Sequence, residues 1–225
     1  MSGPFVERES QVMVPGPVGQ LEAVATAPVE GALSGQDLVA VVCHPHPLHG
    51  GTMSNKVVTT LVRTYRDLGV PCVRFNFRGV GASEGEFDNA VGEVDDLLAV
   101  VSWVKQCYPT ARLLLAGFSF GSSVAAQASH RLGKELQHLV LVAPPVERYP
   151  YDMDGQFPAA VAVIIGEQDE LVDVAGVIDW AQGLKSQAVL LRYPEATHFF
   201  HGGLTQVKKD LAEQLLIALE GPSLA

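Results

Sequence analysis

A G-x-S-x-G pattern lies near the middle of the chain, at residues 117–121, with Ser119 at its centre. It follows an apolar run, ARLLLAG, and precedes a run of small helix-forming residues, SSVAAQAS. A strand that turns directly into a helix strains the backbone at the serine and needs glycine two positions away on either side. Because the chain has 22 glycines, the bare pattern could be an ordinary tight turn. Its position between a strand and a helix favours a nucleophilic serine instead.

A serine nucleophile needs a base that takes its proton and an acid that orients the base. After a turn of this kind the partners follow in the order Ser, Asp or Glu, His, each just beyond a strand. Asp169 in GEQDELVD and His198 in PEATHFF satisfy that order. The competing base, His201, stands just before two glycines and the last helix, which fits a helix-entry residue. We therefore expect Ser119, Asp169 and His198 to be catalytic.

Other acidic residues lie close to the expected acid. Asp173 opens a helical run and is expected to be its N-cap. Glu167 and Glu170 have the character of solvated loop charges. Asp169 is favoured over all three because it follows the strand by only a few residues and has no such competing role.

An acyl-transfer serine enzyme also needs two N–H donors for the developing oxyanion, one after the serine and one in the loop after an earlier strand. Phe120 supplies the first. The second should come from HPHPLHGG, whose prolines have no N–H to donate. His44, His46 and Leu48 remain close to the strand end. We expect His46 to be the second donor, through its backbone amide.

The same loop holds three histidines in six residues, His44, His46 and His49, and could therefore bind a metal ion. Such a site needs a third or fourth ligand, and no Cys, His or Asp cluster at a workable spacing occurs elsewhere in the sequence. The alternating prolines also limit how the imidazoles can converge. We predict a proline-stiffened loop whose imidazoles are scaffolding, with no metal and no cofactor.

A glycine-rich stretch, RFNFRGVGASEG, follows the second apolar run. It lacks the Lys-Ser/Thr ending of a P-loop and the G-x-G-x-x-G spacing of a dinucleotide fold. We interpret it as a structural loop at the border of the site, pinned by side-chain hydrogen bonds of Arg78.

Apolar runs alternate with stretches of helical period along most of the chain. The runs predict strands at residues 38–43, 70–77, 111–117, 138–143, 160–166 and 188–193, with helices at about 55–68, 90–107, 120–132, 173–184 and 204–219. Strands that are apolar on both faces are typical of a parallel sheet covered by helices. With a hairpin at 12–27, the sequence predicts one α/β domain, 1–225, with a mainly parallel, doubly wound sheet, an N-terminal antiparallel hairpin and no sizeable cap.

The bulk composition limits the possible partners. A net charge of −10 and a pI near 5.1 disfavour binding to nucleic acid or to an anionic membrane. The N-terminus has no apolar stretch of signal-peptide length, which predicts a cytoplasmic location. The three cysteines, Cys43, Cys72 and Cys107, are expected to be reduced core residues. A small-molecule ester is the expected partner, and the oligomeric state stays open.

On these motifs the chain resembles the α/β-hydrolase superfamily, in particular its small capless members, similar to dienelactone hydrolases and to the catalytic domains of serine esterases and acyl-peptidases. The resemblance extends from about residue 38 to 219 and rests on HPHPLHGG, RFNFRGVGASEG, GFSFGS, GEQDELVD and ATHFF. It implies a triad of Ser119, Asp169 and His198. Dienelactone hydrolases usually carry a cysteine nucleophile, so a serine here favours general ester chemistry.

The expected activity is hydrolysis of small or medium acyl or aryl esters through an acyl-enzyme. Thioester and peptide cleavage use the same triad and remain open. A non-catalytic binding module on the hydrolase fold is a further alternative, which the complete Ser, Asp and His set argues against. The linker at 144–158 is too short for a multi-helix cap, so we expect an open site. Leu48, Phe118 and Phe199 are expected to bind substrate.

Overall fold

An eight-stranded sheet is the frame of the chain in the computed structural model, which describes residues 4–151 and 154–220. The central strands are buried along nearly their whole length because helices cover the sheet on both faces. The strands are β1 Glu9–Pro15, β2 Gln20–Thr26, β3 Leu38–Cys43, β4 Cys72–Phe75, β5 Arg112–Phe118, β6 Leu136–Val142, β7 Ala160–Gly166 and β8 Ala188–Tyr193.

The strand order is β1-β2-β4-β3-β5-β6-β7-β8. β1 and β2 form the predicted hairpin, and β2 pairs antiparallel with β4, whereas all later pairs are parallel. The outer strand β1 alternates in exposure because only one of its faces meets the core. The predicted fold class is therefore confirmed, namely a mainly parallel, doubly wound α/β sheet with an antiparallel N-terminal hairpin.

The described residues form five α-helices, of which the first four connect strands and the last follows β8: α1 Lys56–Asp67, α2 Gly92–Cys107, α3 Phe120–Leu132, α4 Val174–Gln182 and α5 Leu204–Glu220, with short 3-10 turns at Pro47–His49 and Gly133–Glu135. Asn55 caps α1, since its side-chain oxygen accepts from the amide of Val57 at 2.8 Å. Asp173 occupies the N-cap position of α4, as predicted, but makes no side-chain cap hydrogen bond. Within the described part of the chain, no helix is long and apolar enough to cross a membrane.

The linker between β6 and β7 lacks a helical cap over its described residues, and only residues 152–153 of it lie outside them. The carboxyl ends of β3, β5, β7 and β8 therefore open towards solvent on this side. The predicted absence of a sizeable cap agrees with this geometry.

One expectation about the cysteines was wrong. Cys43 and Cys72 are buried in β3 and β4, and burial raises the pKa of both thiols. Cys107 is instead exposed, because it is the last residue of α2 and lies past the end of that helix's buried face. All three thiols are free.

A buried tyrosine offers a test of the packing. Tyr65 is fully buried in α1, and its hydroxyl has no hydrogen-bond partner among the residues that the structure describes. We expect Tyr65→Phe to raise the free energy of unfolding by about 1 kcal/mol, because a buried hydroxyl without a partner is destabilising. Urea unfolding measures the change.

Tyr193→Phe is the matched control. Its hydroxyl donates to Asp210 at 2.9 Å, so the same chemical change should lower the free energy of unfolding by about 1 kcal/mol. Equal effects of the two substitutions would contradict this account of Tyr65.

Candidate active site

Ser119 forms a sharp turn between the last residue of β5 and the first residue of α3. Its backbone has φ 53° and ψ −122°, a left-handed conformation that is unusual for any residue other than glycine. The two glycines of the motif permit this turn. A Cβ at Gly117 would collide with the carbonyl of Gly121, and one at Gly121 would collide with the carbonyl of His44.

His198 and Asp169 form a buried hydrogen-bonded pair. The Nδ1 of His198 lies 2.8 Å from Oδ2 of Asp169, and the side chains are 2% and 0% exposed. The other carboxylate oxygen accepts from the amides of Leu171 at 2.8 Å and Val172 at 3.1 Å. The carboxylate accepts a hydrogen bond from Nδ1 of His198 as well as from these two amides. Nδ1 of His198 therefore carries the proton, and Nε2 has a free lone pair. This tautomer is the one that a general base requires.

Two of the three competing acids have other partners. Glu167 forms an ion pair with Arg192 at 2.8 Å, and both side chains remain partly exposed. Glu170 accepts from the backbone amide of His198 at 3.3 Å and thereby helps to hold the loop. Asp173 lies at the start of α4. Only Asp169, among these four, contacts the His198 ring.

His201, the competing base, is exposed. It lines a separate cleft between the end of β8 and the start of α5, and that cleft does not include Ser119. The structure therefore places His198, and not His201, beside both Asp169 and Ser119.

Phe118 was expected to bind substrate, but its side chain packs against the imidazole of His198 instead. It is fully buried, and its ring centroid lies 5.0 Å from that of His198. Phe118 is the last residue of β5, a strand whose side chains are all buried from Leu113 onward, so its ring lies in the core. Phe199 packs edge-on against His198 at 5.1 Å and lines the cleft.

Two clefts meet at Ser119. The smaller, about 100 Å³, is lined by Ser119 and His198 together with Phe199 and the histidine-rich loop. The larger, about 350 Å³, is lined by His46, His49, Ser119, Phe120, Pro145, Arg148, Tyr149, Leu171 and Val172. Since both clefts include Ser119, a substrate over the serine can place one group in each.

Leu48 does not line either cleft, which corrects the expectation that it binds substrate. It is 68% exposed on the short 3-10 turn. His46 is the N-cap of that turn, and its Nδ1 accepts from the Leu48 amide at 3.2 Å. This cap turns the chain so that Leu48 points to solvent.

Phe120 and His46 both offer unpaired backbone amides at the cleft. Over the described residues, neither amide donates to a protein acceptor. The two side chains pack together, with ring centroids 5.0 Å apart, and Phe87 lies against both at 5.1 and 5.7 Å. His46 also stacks on His49 at 4.3 Å. This packing fixes the two amides relative to each other.

The ring of His44 is used entirely within the scaffold. Its Nδ1 donates to the carbonyl of Pro45 at 2.6 Å, and its Nε2 accepts from the amide of Phe77 at 3.0 Å. Neither nitrogen is therefore available to a metal ion. In the described ranges no group of three or more His, Cys, Asp or Glu side chains is arranged to hold one.

Arg78 pins the glycine-rich loop through a buried ion pair. Its guanidinium donates to Asp96 at 2.7 Å and to the carbonyl of Gly92 at 2.7 Å. The Asp96 side chain is fully buried, and this pair raises the pKa of Arg78. The loop leading to Phe87 is thus tied to the first turns of α2.

Glu93 is a residue that the sequence reasoning missed. It is fully buried, and its carboxylate accepts from the amides of Asp88 at 2.8 Å and Ala90 at 2.9 Å. It thereby holds the segment that places Phe87 against the rings of His46 and Phe120. Its position in the first turn of a helix was the only signal, and acidic residues are common there.

Comparison with known proteins gives consistent matches. Residues 48–160 match a family model described as alpha/beta hydrolase fold. The uncharacterized protein RP471 of Rickettsia prowazekii is 34% identical over 218 residues, which are 92% of this chain and 88% of RP471.

Two solved structures are also similar over nearly the whole chain. XC6422 from Xanthomonas campestris, a member of the α/β serine hydrolases without lid, is 40% identical, with a TM-score of 0.86 over 95% of this chain and 96% of XC6422. An α/β serine hydrolase homologue from Coxiella burnetii is 40% identical, with a TM-score of 0.87 over 94% of this chain and 99% of that one.

The buried imidazoles predict a dependence of stability on pH. Burial lowers the pKa of His44 and of His138 from 6.5 to about 4. Between pH 6.5 and about 4 the unfolded chain binds protons that the folded chain does not. The contribution of these imidazoles to the free energy of unfolding should therefore be complete above pH 6.5 and decrease as the pH falls towards 4. The loss is on the order of 3 kcal/mol for each imidazole. Urea unfolding at a series of pH values measures it.

His138→Leu should flatten that dependence, since one of the two groups is removed. His201→Leu is the control, because this exposed histidine should leave the slope unchanged. An identical slope in wild type and His138→Leu would contradict the assignment to buried imidazoles.

Proposed function

Because the chain belongs to the alpha/beta hydrolase fold family, we propose that it hydrolyses carboxylic esters, with Ser119 as the nucleophile. The observation that carries the proposal is the buried hydrogen bond between His198 and Asp169, at 2.8 Å, beside a cleft that also contains Ser119. This arrangement supports Ser119 as the nucleophile, His198 as the base and Asp169 as the orienting acid.

The reaction follows from the tautomer of His198. The hydroxyl oxygen of Ser119 attacks the ester carbonyl carbon while its proton passes to Nε2 of His198. The resulting imidazolium, stabilised by Asp169, gives the proton to the leaving alcohol as the carbon–oxygen bond breaks. Water then attacks the acyl-enzyme by the same route, which releases the carboxylic acid and restores the serine.

The oxyanion formed in each half of the reaction is held by the amides of Phe120 and His46. Both N–H groups are free of protein acceptors over the described residues, so neither has to break a hydrogen bond to receive the charge. Donors that are positioned before the reaction cost no reorganisation. The ring packing around His46 supports this arrangement by limiting movement of its loop.

The two clefts favour small to medium esters. Ser119 lies where they meet, so the acyl group and the alcohol would occupy one cleft each. The larger, at about 350 Å³, is near the lower end of ligand pockets, and Phe120 and Tyr149 give it aromatic walls. Phe199 is a contact in the smaller one. No metal or organic cofactor enters this scheme.

Intact-mass analysis after a fluorophosphonate probe tests the nucleophile. The hydroxyl of Ser119 should displace fluoride and gain one phosphonyl group, because only an activated serine reacts readily. Ser119→Ala should abolish the mass increase, whereas Ser54→Ala, which changes an exposed serine, should keep it. A folded wild-type protein that gains no mass would favour the binding-module alternative.

Asp169→Asn tests the acid. The amide cannot hold His198 in the same tautomer, so kcat for 4-nitrophenyl acetate should fall by a factor on the order of 10⁴. Asp173→Asn makes the same chemical change four residues away and should keep kcat within about twofold, since this side chain contacts neither His198 nor the cleft. Similar losses in the two variants would refute the role of Asp169.

A further inference from the structure

We infer that Tyr151 and Ser122 are positioning residues that polarise the Phe120 amide, through a chain of hydrogen bonds that ends on the carbonyl of Ser119. The inference rests on the proposed function, because it assigns the Phe120 N–H to the oxyanion. It adds two residues from different parts of the fold, one in the linker after β6 and one in the first turn of α3.

The chain has two short links. The Ser122 hydroxyl lies 2.6 Å from the carbonyl oxygen of Ser119, and the Tyr151 hydroxyl lies 2.6 Å from the Ser122 hydroxyl. Ser122 is fully buried. Burial also raises the pKa of the Tyr151 phenol, so the phenol is protonated at neutral pH.

The direction of both hydrogen bonds follows from the chemistry of the groups. A carbonyl oxygen has no proton, so Ser122 must donate to Ser119. A serine hydroxyl has one proton, so the tyrosine must donate to the serine. The protons therefore all point the same way, from Tyr151 through Ser122 to the Ser119 carbonyl.

The carbonyl of Ser119 and the amide of Phe120 belong to one peptide group. A donor to the oxygen draws electron density from the nitrogen, which makes the N–H a stronger donor to the oxyanion. The amide of Ser122 also donates to this oxygen at 2.8 Å. Two donors on the carbonyl fix the plane of the peptide and hence the direction of the Phe120 N–H.

Tyr151 is held in place independently of this hydrogen bond. Its ring packs edge-on against Trp180 of α4, with centroids 5.3 Å apart. Tyr151→Phe therefore removes the donor and keeps the packing. Such a variant should fold normally and change only the electronic and directional support of the Phe120 amide.

The test compares Tyr151→Phe, Ser122→Ala and the double variant with wild type, using 4-nitrophenyl acetate and the rate of labelling by the fluorophosphonate probe. Tyr151→Phe should lower kcat and the labelling rate by about two- to tenfold. The loss is smaller than that for removal of an oxyanion donor, because the variant only weakens the Phe120 N–H as a donor and does not remove it. KM should stay nearly unchanged, because the support acts on charge that exists only in the transition state. Ser122→Ala should give the larger loss.

The double variant tests whether the tyrosine acts through the serine. In the Ser122→Ala background the link is already broken, so Tyr151→Phe should cause no further loss. Two matched controls should retain wild-type kcat. Tyr65→Phe removes a buried hydroxyl elsewhere, and Ser129→Ala removes the same kind of helix back-bond, to Ala126 at 2.6 Å, far along α3. Thermal unfolding checks that all variants are folded.

Three results would overturn the inference: wild-type kcat in Tyr151→Phe, a loss confined to KM, or additive losses in the double variant. In each case a labelled and active wild type would leave the proposed function standing. A wild type that neither reacts with the probe nor cleaves the ester would remove the proposed function and this inference together.

Discussion

The peptide group that joins Ser119 to Phe120 is the constraint on which the rest of the site depends. A non-glycine residue in this conformation costs on the order of 1–3 kcal/mol, so the surrounding structure must hold it. The amide of Ser119 donates to the carbonyl of Val142 in β6, and its own carbonyl accepts from the amide and the hydroxyl of Ser122. The glycines of the motif and the small residues that follow them let α3 approach the sheet closely enough for these bonds to form.

Backbone strain is concentrated at one edge of the sheet. The non-glycine residues with positive φ in the described ranges all lie in segments that follow strands: Asn89, Ala90, Ser119, Ala143 and Phe200. In a parallel sheet these segments meet at the same edge, which is where ligands bind in open α/β folds. The buried core of the sheet stabilises the chain and so allows strain where the chemistry is placed. The edge at the opposite ends of the strands shows no such residue among those described.

Much of the fold could be predicted because its signals are local. Strands at 38–43, 160–166 and 188–193 and the helix at 120–132 agree residue by residue with the structure, since short apolar runs and helical periodicity are direct consequences of burial. The order of Ser119, Asp169 and His198 was also readable, because the topology requires each to follow a strand. The structure places these three together. What could not be read was the direction of individual side chains: Phe118 and Leu48 are apolar residues close to the motifs, but one faces the core and the other faces solvent.

The residues that support the site could not be predicted from residue type and local pattern, for a further reason. Three serines of α3, Ser122, Ser123 and Ser129, each donate to the carbonyl three positions earlier, and nothing in the sequence separates them. Only Ser122 donates to the carbonyl of Ser119, which shares a peptide group with the Phe120 amide. The reason is that only Ser122 lies one helical turn after the strained residue, Ser119. Ser122 also accepts a hydrogen bond from Tyr151, which lies 29 residues later in the chain. Serines in the same kind of local hydrogen bond therefore have different roles. The role of Ser122 is set by the peptide group that accepts its hydrogen bond and by its contact with Tyr151, and the local sequence indicates neither.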